Sequence, residues 1–189
     1  IYMQEAVPVG GAMSAVLGLE NEVVEKICRD TPGLVELANY NCPGQIVITG
    51  EQKAVEAAGE ALKAAGAKRV APLKVSGPFH SSMLAEAGHR LAKALEDVDF
   101  KASDIPYVCN TEARYVTDPS EISDILIRQV SSSVRWEQSV REMIARGVDT
   151  FVEIGPAKTL RGFLKRIDRS VKAVNIDKYE DLKKLEDIL

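Results

Sequence analysis

The sequence predicts an α/β fold made of two differently organised parts. Residues 11–75 contain strand-like and helix-like runs in the order β-α-β-β-α-β, whereas residues 76–189 alternate strands with helices. Glycine and proline fall between many of these runs, where turns are expected. Strands that alternate with helices are typical of a parallel sheet with helices on its faces.

In the first part, the spacing of apolar side chains separates the helices from the strands. Val24 and Cys28 share one face of a predicted helix, and Val55 and Leu62 share one face of another. Ile46-Val47-Ile48 is a β-branched strand. The strands are predicted at 11–17, 35–40, 46–48 and 69–75, with helices at 20–29 and 51–67 and a turn at 41–44. This order is that of a ferredoxin-like unit.

The second part is predicted to hold a small parallel sheet of three strands. Its strongest strand is the segment from Asp149 to Ile154, which Gly155-Pro156 closes. The strands are predicted at 106–109, 149–154 and 171–176, and the helices at 82–95, 120–130, 136–146, 158–167 and 179–189. A three-stranded sheet is small for such a domain, and the chain starts at Ile1 rather than at methionine. Both features favour a missing N-terminal part.

Composition excludes several classes of function. The 189 residues carry a net charge of −4, which gives no support to nucleic-acid binding. No apolar run reaches the roughly 18–20 residues of a membrane span. Three scattered cysteines, Cys28, Cys42 and Cys109, form neither a disulfide framework nor a metal motif. We therefore expect a cytoplasmic protein that binds neither nucleic acid nor membrane and holds no metal.

One of the two histidines is a candidate for catalysis. His80 follows Gly77-Pro78 in a bend between a predicted strand and a predicted helix, where α/β folds often place working residues. Imidazole titrates at about pH 6.5 and can serve as base and acid near neutrality. From this context alone His80 is either functional or a satisfied loop residue. His89 lies inside an amphipathic helix and is predicted to be solvated.

Four segments of the chain form a recognisable set in this order. They are Met3-Gln4-Glu5-Ala6-Val7-Pro8, Asn39-Tyr40-Asn41-Cys42-Pro43-Gly44-Gln45-Ile46-Val47-Ile48, the segment around His80, and Phe151-Val152-Glu153-Ile154-Gly155-Pro156. Together they resemble the malonyl-CoA:acyl carrier protein transacylase family. Residues 128–129, Arg-Gln, and residues 66–69, Gly-Ala-Lys-Arg, also match.

The resemblance implies a partial α/β-hydrolase-like large subdomain with a ferredoxin-like small subdomain inserted in it. The small subdomain would span residues 5–76, and residues 1–4 and 77–189 would be the remnant of the large one. It also implies transfer of malonyl from malonyl-CoA to the phosphopantetheine thiol of acyl carrier protein in fatty-acid synthesis, without a cofactor, by a protein expected to be a monomer.

In the implied mechanism a serine takes the malonyl group and a histidine withdraws the serine proton. The match assigns the histidine role to His80 and assigns to Gln129 the backbone carbonyl that orients the ring. Asn39 and Asn41 would face the cleft, although they are equally consistent with turn residues that satisfy their own backbone. Phe79 would crowd an α-methyl branch on the acyl group, and its alternative is simple packing.

The nucleophile motif Gly-x-Ser-x-Gly does not occur in the chain. The family carries it upstream of the Met-Gln-Glu-Ala segment, together with the malonyl-binding arginine and the oxyanion hole, so the chain alone is expected to be inactive. Four basic residues recur every three or four positions and are predicted to share one helical face, either as a docking stripe for an acidic carrier protein or as a solvated cationic face. They are Lys158, Arg161, Lys165 and Arg169.

Three alternatives remain open at this stage. The chain could belong to the acyltransferase domain of a polyketide synthase, although it ends soon after its last predicted helix. It could be a non-catalytic binding module, since a ferredoxin-like unit can serve for binding alone. It could also be a hydrolase that pairs Cys42 or Cys109 with His80.

Overall fold

The computed structural model describes residue 7 and residues 9–186 as a mixed α/β structure. Most of the segment 3–8 that carries part of the family resemblance lies outside the described residues. The same is true of the predicted subdomain piece 1–4 and of the end of the last predicted helix, residues 187–189.

The first part has the predicted element order and forms one antiparallel sheet. Its elements are β1 (Gly11–Leu17), α1 (Asn21–Asp30), β2 (Val35–Cys42), β3 (Gln45–Glu51), α2 (Gln52–Ala64) and β4 (Arg69–Pro72). The strands lie in the order β2-β3-β1-β4, and each neighbouring pair is antiparallel. Asn41 and Cys42 belong to the end of β2, so the turn is shorter than predicted and consists of Pro43 and Gly44.

Both helices of the first part pack on the same side of this sheet and form its core. Ile46 and Ile48 of β3 are fully buried against Leu62 of α2 and Val24 of α1. The two isoleucines are two residues apart and therefore point to the same face of the strand. The apolar faces predicted for the two helices therefore pack against one apolar face of the sheet.

The second part follows an extended stretch and is built mainly from helices. Its elements are α3 (Ala85–Leu95), β5 (Tyr107–Val108), β6 (Tyr115–Val116), α4 (Ile122–Ser131), α5 (Trp136–Ala145), β7 (Thr150–Ile154), α6 (Thr159–Ile167), β8 (Lys172–Ile176) and α7 (Lys183–Glu186). Short 3₁₀ turns precede α3, α4 and α7 at Ser82–Leu84, Pro119–Glu121 and Tyr179–Leu182. No helix among the described residues is long and apolar enough to cross a membrane.

The predicted three-stranded parallel sheet of the second part is wrong. Among the strands of the second part that the structure describes, only β7 and β8 pair in parallel, with Phe151 opposite Ala173. The strand predicted at 106–109 is the two-residue β5, which pairs antiparallel with β6. The connection closes tightly because Cys109 N–H donates to Arg114 O and Ala113 N–H donates to Cys109 O. A two-residue strand has too little sequence for a periodicity, so β6 was missed.

The last predicted helix is also shorter than expected. The chain makes a 3₁₀ turn at Tyr179–Leu182 before the short helix α7. The Asp181 carboxylate accepts hydrogen bonds from the N–H groups of Asp177 and Lys178 and so caps this turn.

Strand β2 joins the two parts. It is an edge strand of the four-stranded sheet, and its free side meets the segment between α4 and α5. Val134 N–H donates to Ala38 O at 2.7 Å, and Tyr40 N–H donates to Val134 O at 2.9 Å. Further along, Arg166 of α6 donates to Gln45 Oε1 and to Pro43 O at the β2–β3 turn. Backbone and side-chain hydrogen bonds therefore both cross this junction.

Candidate functional site

The bend that carries His80 is held against β1 by close packing at glycines. A Cβ on Gly11 would lie 2.3 Å from Cδ of Pro78, and a Cβ on Gly77 would lie 2.6 Å from Cγ1 of Val7. Such distances are well inside van der Waals contact, so neither position can accept a larger residue without movement of the bend. The lack of a side chain at Gly11 therefore lets Pro78 pack against β1, and the lack of one at Gly77 lets the bend approach Val7.

His80 itself has a left-handed backbone conformation, with φ of 57°. For a residue other than glycine this conformation costs of order 1 kcal/mol and persists only where the surroundings impose it. The next residue supplies part of that constraint, because buried Ser81 donates its hydroxyl to Pro78 O at 2.7 Å. Ser81 O in turn accepts from Leu84 N–H as the following helix begins.

The His80 ring contacts a main-chain carbonyl at the end of α4. Its Nδ1 lies 3.2 Å from the main-chain oxygen of Gln129. Gln129 lies in the last turn of α4, where carbonyl groups have no partner within the helix and are available to other donors. In the neutral ring, Nδ1–H donates to this carbonyl and Nε2 keeps its lone pair. The arrangement can therefore present Nε2 as a proton acceptor.

Burial lowers the pKa of His80 below its ordinary value, and the backbone carbonyls of Gln129 and Ser132 oppose that shift only in part. A ring shielded from water favours its uncharged form because the charged form loses hydration. At neutral pH His80 is consequently neutral and able to accept a proton.

A polar cavity of about 320 Å³ opens beside the ring. Its walls come from β2, from the bend, from the loop after β5, and from the segment between α4 and α5. The lining residues are Glu36, Leu37, His80, Thr111, Ser131, Ser132, Ser133 and Arg135. Among the described residues, the buried Thr111 hydroxyl has no hydrogen-bond partner. The cavity thus combines one base, several hydroxyl groups and one charge of each sign.

The two charged residues of the cavity are held in different ways. Glu36 accepts a hydrogen bond at 2.7 Å from the N–H of Ser82, two residues after the histidine. The guanidinium of Arg135 lies 5.5 Å from the ring centroid of Tyr40, and the main-chain N–H of Arg135 donates to Asn110 O. Burial and the hydrogen bond to Glu25 raise the pKa of Tyr40 to about 12, so this ring stays neutral.

An ion network stabilises the helix end that carries Gln129. Arg128 forms a 2.5 Å ion pair with Glu112, which also pairs with Arg114 at 2.6 Å. These cations, Arg114 before Arg128, lower the pKa of Glu112. Arg114 also pairs with Glu121 at the start of α4. Both ends of α4 are thereby tied to the β5–β6 hairpin.

The other predicted site residues do not line the cavity. Asn39 pairs with Val47 in the sheet and forms a bridge to Val134. Asn41 is half-buried near the end of β2. Phe79 packs between two core clusters, one around Met13 and one around Leu84, which is the alternative considered for it from the sequence. Their roles in substrate binding remain predictions.

Sequence reasoning missed Glu36, Thr111 and Arg135 as residues of this cavity. Glu36 offered a weak signal, as the one charged residue of strand β2. Thr111 and Arg135 offered none, because they enter the cavity only when the segments around them fold against β2.

The predicted basic stripe does not share one helical face. Helix α6 spans Thr159–Ile167, so Lys158 precedes it and Arg169 follows it, beyond the extended Asp168. Only Arg161 and Lys165 are within the helix. Lys165 and Arg169 nevertheless line one cavity of about 430 Å³ together with Arg166. The expectation failed because the helix is one turn shorter than the charge spacing required.

No cysteine is among the residues that line the His80 cavity. Cys28, Cys42 and Cys109 are all buried, and burial raises the pKa of Cys28 to about 12 and also raises that of Cys42. A buried thiol remains protonated and is a poor nucleophile. The geometry therefore gives no support to a cysteine–histidine hydrolase. The described residues also contain no cluster of three or more His, Cys, Asp or Glu that could hold a metal ion.

Comparison with known proteins identifies the family of the chain. The family model described as the acyl transferase domain matches residues 2–182, and the chain belongs to that family. Within it, the chain is a homologue of malonyl-CoA:acyl carrier protein transacylases. The malonyl CoA-acyl carrier protein transacylase of Bacillus subtilis strain 168 is 44% identical over 185 residues. That of Escherichia coli K12 is 44% identical over 169 residues, which is 88% of this chain and 55% of the relative.

Solved structures of high similarity support the same conclusion. The acyl carrier protein S-malonyltransferase of Vibrio cholerae superimposes with a TM-score of 0.94 at 43% identity, over 97% of this chain and 61% of that one. A malonyl-transacylase in complex with a type II polyketide synthase acyl-carrier protein superimposes with a TM-score of 0.93 at 40% identity, over 98% and 62%.

The chain spans only part of the length of these relatives. The alignment with the Bacillus subtilis protein includes 96% of this chain but only 58% of that relative. The activity of the longer relatives therefore cannot be assigned directly to these 189 residues.

Proposed function

We propose that this chain supplies the histidine base of a malonyl-CoA:acyl carrier protein transacylase of fatty-acid synthesis. The observation that carries the proposal is the contact between His80 Nδ1 and Gln129 O at 3.2 Å, beside a polar cavity. A main-chain carbonyl cannot take a proton from the ring, so it selects one tautomer and leaves Nε2 as the working nitrogen. The nucleophilic serine lies outside this chain.

The reaction proceeds in two acyl transfers with one proton moving each time. In the first, Nε2 of His80 accepts the serine proton while the serine oxygen attacks the thioester carbonyl carbon of malonyl-CoA. The imidazolium then protonates the departing coenzyme A thiolate. In the second, Nε2 accepts the proton of the phosphopantetheine thiol, whose sulfur attacks the malonyl-serine ester. The proton returns to the serine oxygen as the ester breaks.

Orientation by a carbonyl suits this chemistry. A carboxylate beside the ring would stabilise the imidazolium, whereas a carbonyl aligns the ring without adding a charge. General-base catalysis of this kind contributes typically about 10²–10⁴-fold in rate. Burial of His80 also keeps the ring neutral at the start of each transfer, as the mechanism requires.

The finer domain organisation is part of this proposal. Residues 5–76 would form a ferredoxin-like small subdomain inserted in a partial α/β-hydrolase-like large subdomain, made here of residues 1–4 and 77–189. The β-α-β-β-α-β order and the strand order β2-β3-β1-β4 support the first assignment. The parallel pair β7–β8, followed by helices, is compatible with the second.

Substrate contacts are proposed for residues near the junction. Asn39 and Asn41 would contact the substrate from the small subdomain, and Phe79 would limit acyl groups by its bulk. Lys165 and Arg169 would attract an acidic carrier protein, with Lys158 and Arg161 at the other end of α6. A related transacylase is described in complex with a polyketide synthase carrier protein. A polyketide acyl carrier is therefore the alternative acceptor.

The test places His80 in a complete enzyme. Residues 1–189 replace the matching portion of the Bacillus subtilis relative, and the chimera is assayed for transfer of radiolabelled malonyl from malonyl-CoA to acyl carrier protein. We expect the chimera to be active and His80→Ala to reduce its rate by about 10²–10⁴-fold. His89→Ala is the matched control, because His89 is an exposed residue on α3 and should leave the rate unchanged.

Two results would contradict the proposal. A folded chimera with no transfer activity would remove the proposed reaction, and an active chimera unaffected by His80→Ala would remove His80 from the mechanism. Assays with a fatty-acid and a polyketide carrier protein in parallel separate the two acceptors. The isolated chain is expected to transfer nothing.

A further inference from the structure

We propose that Glu36 is a positioning residue for the His80 imidazole, and this inference rests on the proposed function. Glu36 lies on β2, in the four-stranded sheet, whereas His80 lies in the bend after that sheet. Its carboxylate accepts a 2.7 Å hydrogen bond from Ser82 N–H, the first residue of the 3₁₀ turn after the bend. The hydrogen bond spans 46 positions of sequence and closes the bend on its C-terminal side.

The bend requires such a constraint because the backbone of His80 has a left-handed conformation. Residues other than glycine relax from this conformation unless neighbouring contacts over-determine it. Before His80, the packing of Pro78 on Gly11 provides the constraint. After His80, the Glu36–Ser82 hydrogen bond is the contact that reaches across from the sheet. A hydrogen bond from a backbone N–H to a carboxylate is stronger than one between two uncharged groups, because the acceptor is charged.

The same strand also positions the acceptor of the histidine. Immediately after Glu36, Leu37 O accepts from the Ser133 hydroxyl and Ala38 O accepts from Val134 N–H. Ser133 and Val134 follow the end of α4, the helix whose last turn carries the Gln129 carbonyl. Three consecutive residues of β2 therefore hold both segments that must meet.

These hydrogen bonds of β2 hold His80 Nδ1 and Gln129 O at a fixed distance. The Leu37 and Ala38 bonds use main-chain oxygens of β2, which any side chain at those positions would supply. The Glu36 bond uses a side chain of β2, so it is the member of the set that a substitution within β2 removes. Without it, Ser82 and the start of α3 lose their tie to the sheet, and the ring is free to turn from Gln129 O.

The experiment measures the tautomer of His80 by NMR in the 189-residue chain. The ¹⁵N shifts of the ring nitrogens are recorded at about pH 8, above the ordinary histidine pKa of about 6.5, so that the rings are neutral. The chain has two histidines, and His89→Gln identifies the His80 signals. We expect His80 to be protonated at Nδ1 in the unsubstituted chain and in Glu36→Gln, whose amide oxygen can still accept.

Glu36→Ala is expected to lose the preference for Nδ1–H. Asp118→Ala is the matched control for general destabilisation, because the Asp118 carboxylate also accepts from a backbone N–H, that of Ser120, at the start of a 3₁₀ turn. This control should retain the Nδ1–H tautomer. A purely structural role for Glu36 would lower the melting temperature of Glu36→Ala and leave the tautomer unchanged.

The proposal is overturned if folded Glu36→Ala keeps the Nδ1–H tautomer, or if Asp118→Ala loses it to the same extent. Should Glu36→Ala fail to fold, Glu36→Asp decides, because it keeps the charge but withdraws the acceptor by one methylene group. Retention of Nδ1–H in folded Glu36→Asp would then overturn the proposal. The NMR measurement of the tautomer does not require catalysis. It therefore tests the role of Glu36 even if the chimera transfers no malonyl.

Discussion

The four-stranded sheet and the β7–β8 pair use similar residues in very different surroundings. Ile48 in β3 is fully buried, whereas Ile154 at the end of β7 is 84% exposed. The first sheet is covered by α1 and α2 and has a single large core. The second has two strands and leaves Val152 exposed as well. The comparison shows that a strong β-branched strand does not imply burial, because burial depends on the layer packed against it.

The largest expected effect comes from a matched pair of isoleucine substitutions. Ile48→Ala should lower the free energy of unfolding by about 2–5 kcal/mol, since it leaves a cavity in a packed core. Ile154→Ala should change it by less than about 0.5 kcal/mol, since the side chain is already in water. Urea unfolding monitored by circular dichroism gives both values. Equal losses would show that β7 is covered in solution, and the comparison would no longer hold.

The connection between the two regions is tested by a matched pair of arginines. Arg166→Ala should lower the free energy of unfolding by about 0.5–1.5 kcal/mol, because it removes the hydrogen bonds to Gln45 and Pro43. Arg169→Ala lies beyond the end of α6 and should cost less than about 0.5 kcal/mol. The same urea titration measures both. If the two variants were equally stable, the side-chain link at the β2–β3 turn would contribute nothing.

The smallest expected effect is a dependence of the free energy of unfolding on pH, caused by His80 at the junction of the two regions. Burial lowers the folded-state pKa of His80 below that of the unfolded chain. Between these two values the unfolded state binds more protons, so stability increases with pH there. The contribution is complete above the unfolded pKa of about 6.5 and is lost as pH falls towards the folded-state pKa.

The variant His80→Gln lacks the contribution of His80 to the pH dependence of stability, so comparison with the unsubstituted chain isolates that contribution. Subtracting its stability curve from that of the unsubstituted chain between about pH 5 and pH 8 should leave a positive slope below about pH 6.5. The exposed carboxylates contribute equally to both curves and cancel. A flat difference, or one of negative slope, would mean that the ring is as well solvated in the folded state as in the unfolded state.

Sequence reasoning succeeded where one element has enough residues to show a period. The helices α1 and α2 were predicted within a few residues because their apolar positions repeat at helical spacing, and β3 was predicted from its run of β-branched residues. It failed for β5 and β6, which have two residues each and are defined only by their pairing. It also failed for the basic stripe, since charge spacing alone cannot show that α6 ends at Ile167.

The candidate site divides in the same way. The bend around His80 and the Gln129 carbonyl were predicted from sequence, one from local context and both from family resemblance. The cavity walls were not, because Glu36, Thr111 and Arg135 are far apart in the chain and share no local pattern.

The amino-acid sequence by itself determined the order of the elements in the first part and the apolar faces of its helices, because these depend on residue type and local period, and it singled out His80 as a candidate. Only the tertiary structure decided that β2 lies between the His80 bend and the end of α4, and which residues therefore surround the ring. The physical reason is that hydrogen bonds such as Glu36–Ser82 form between segments separated by tens of residues. No local preference specifies them until the two parts have folded against each other.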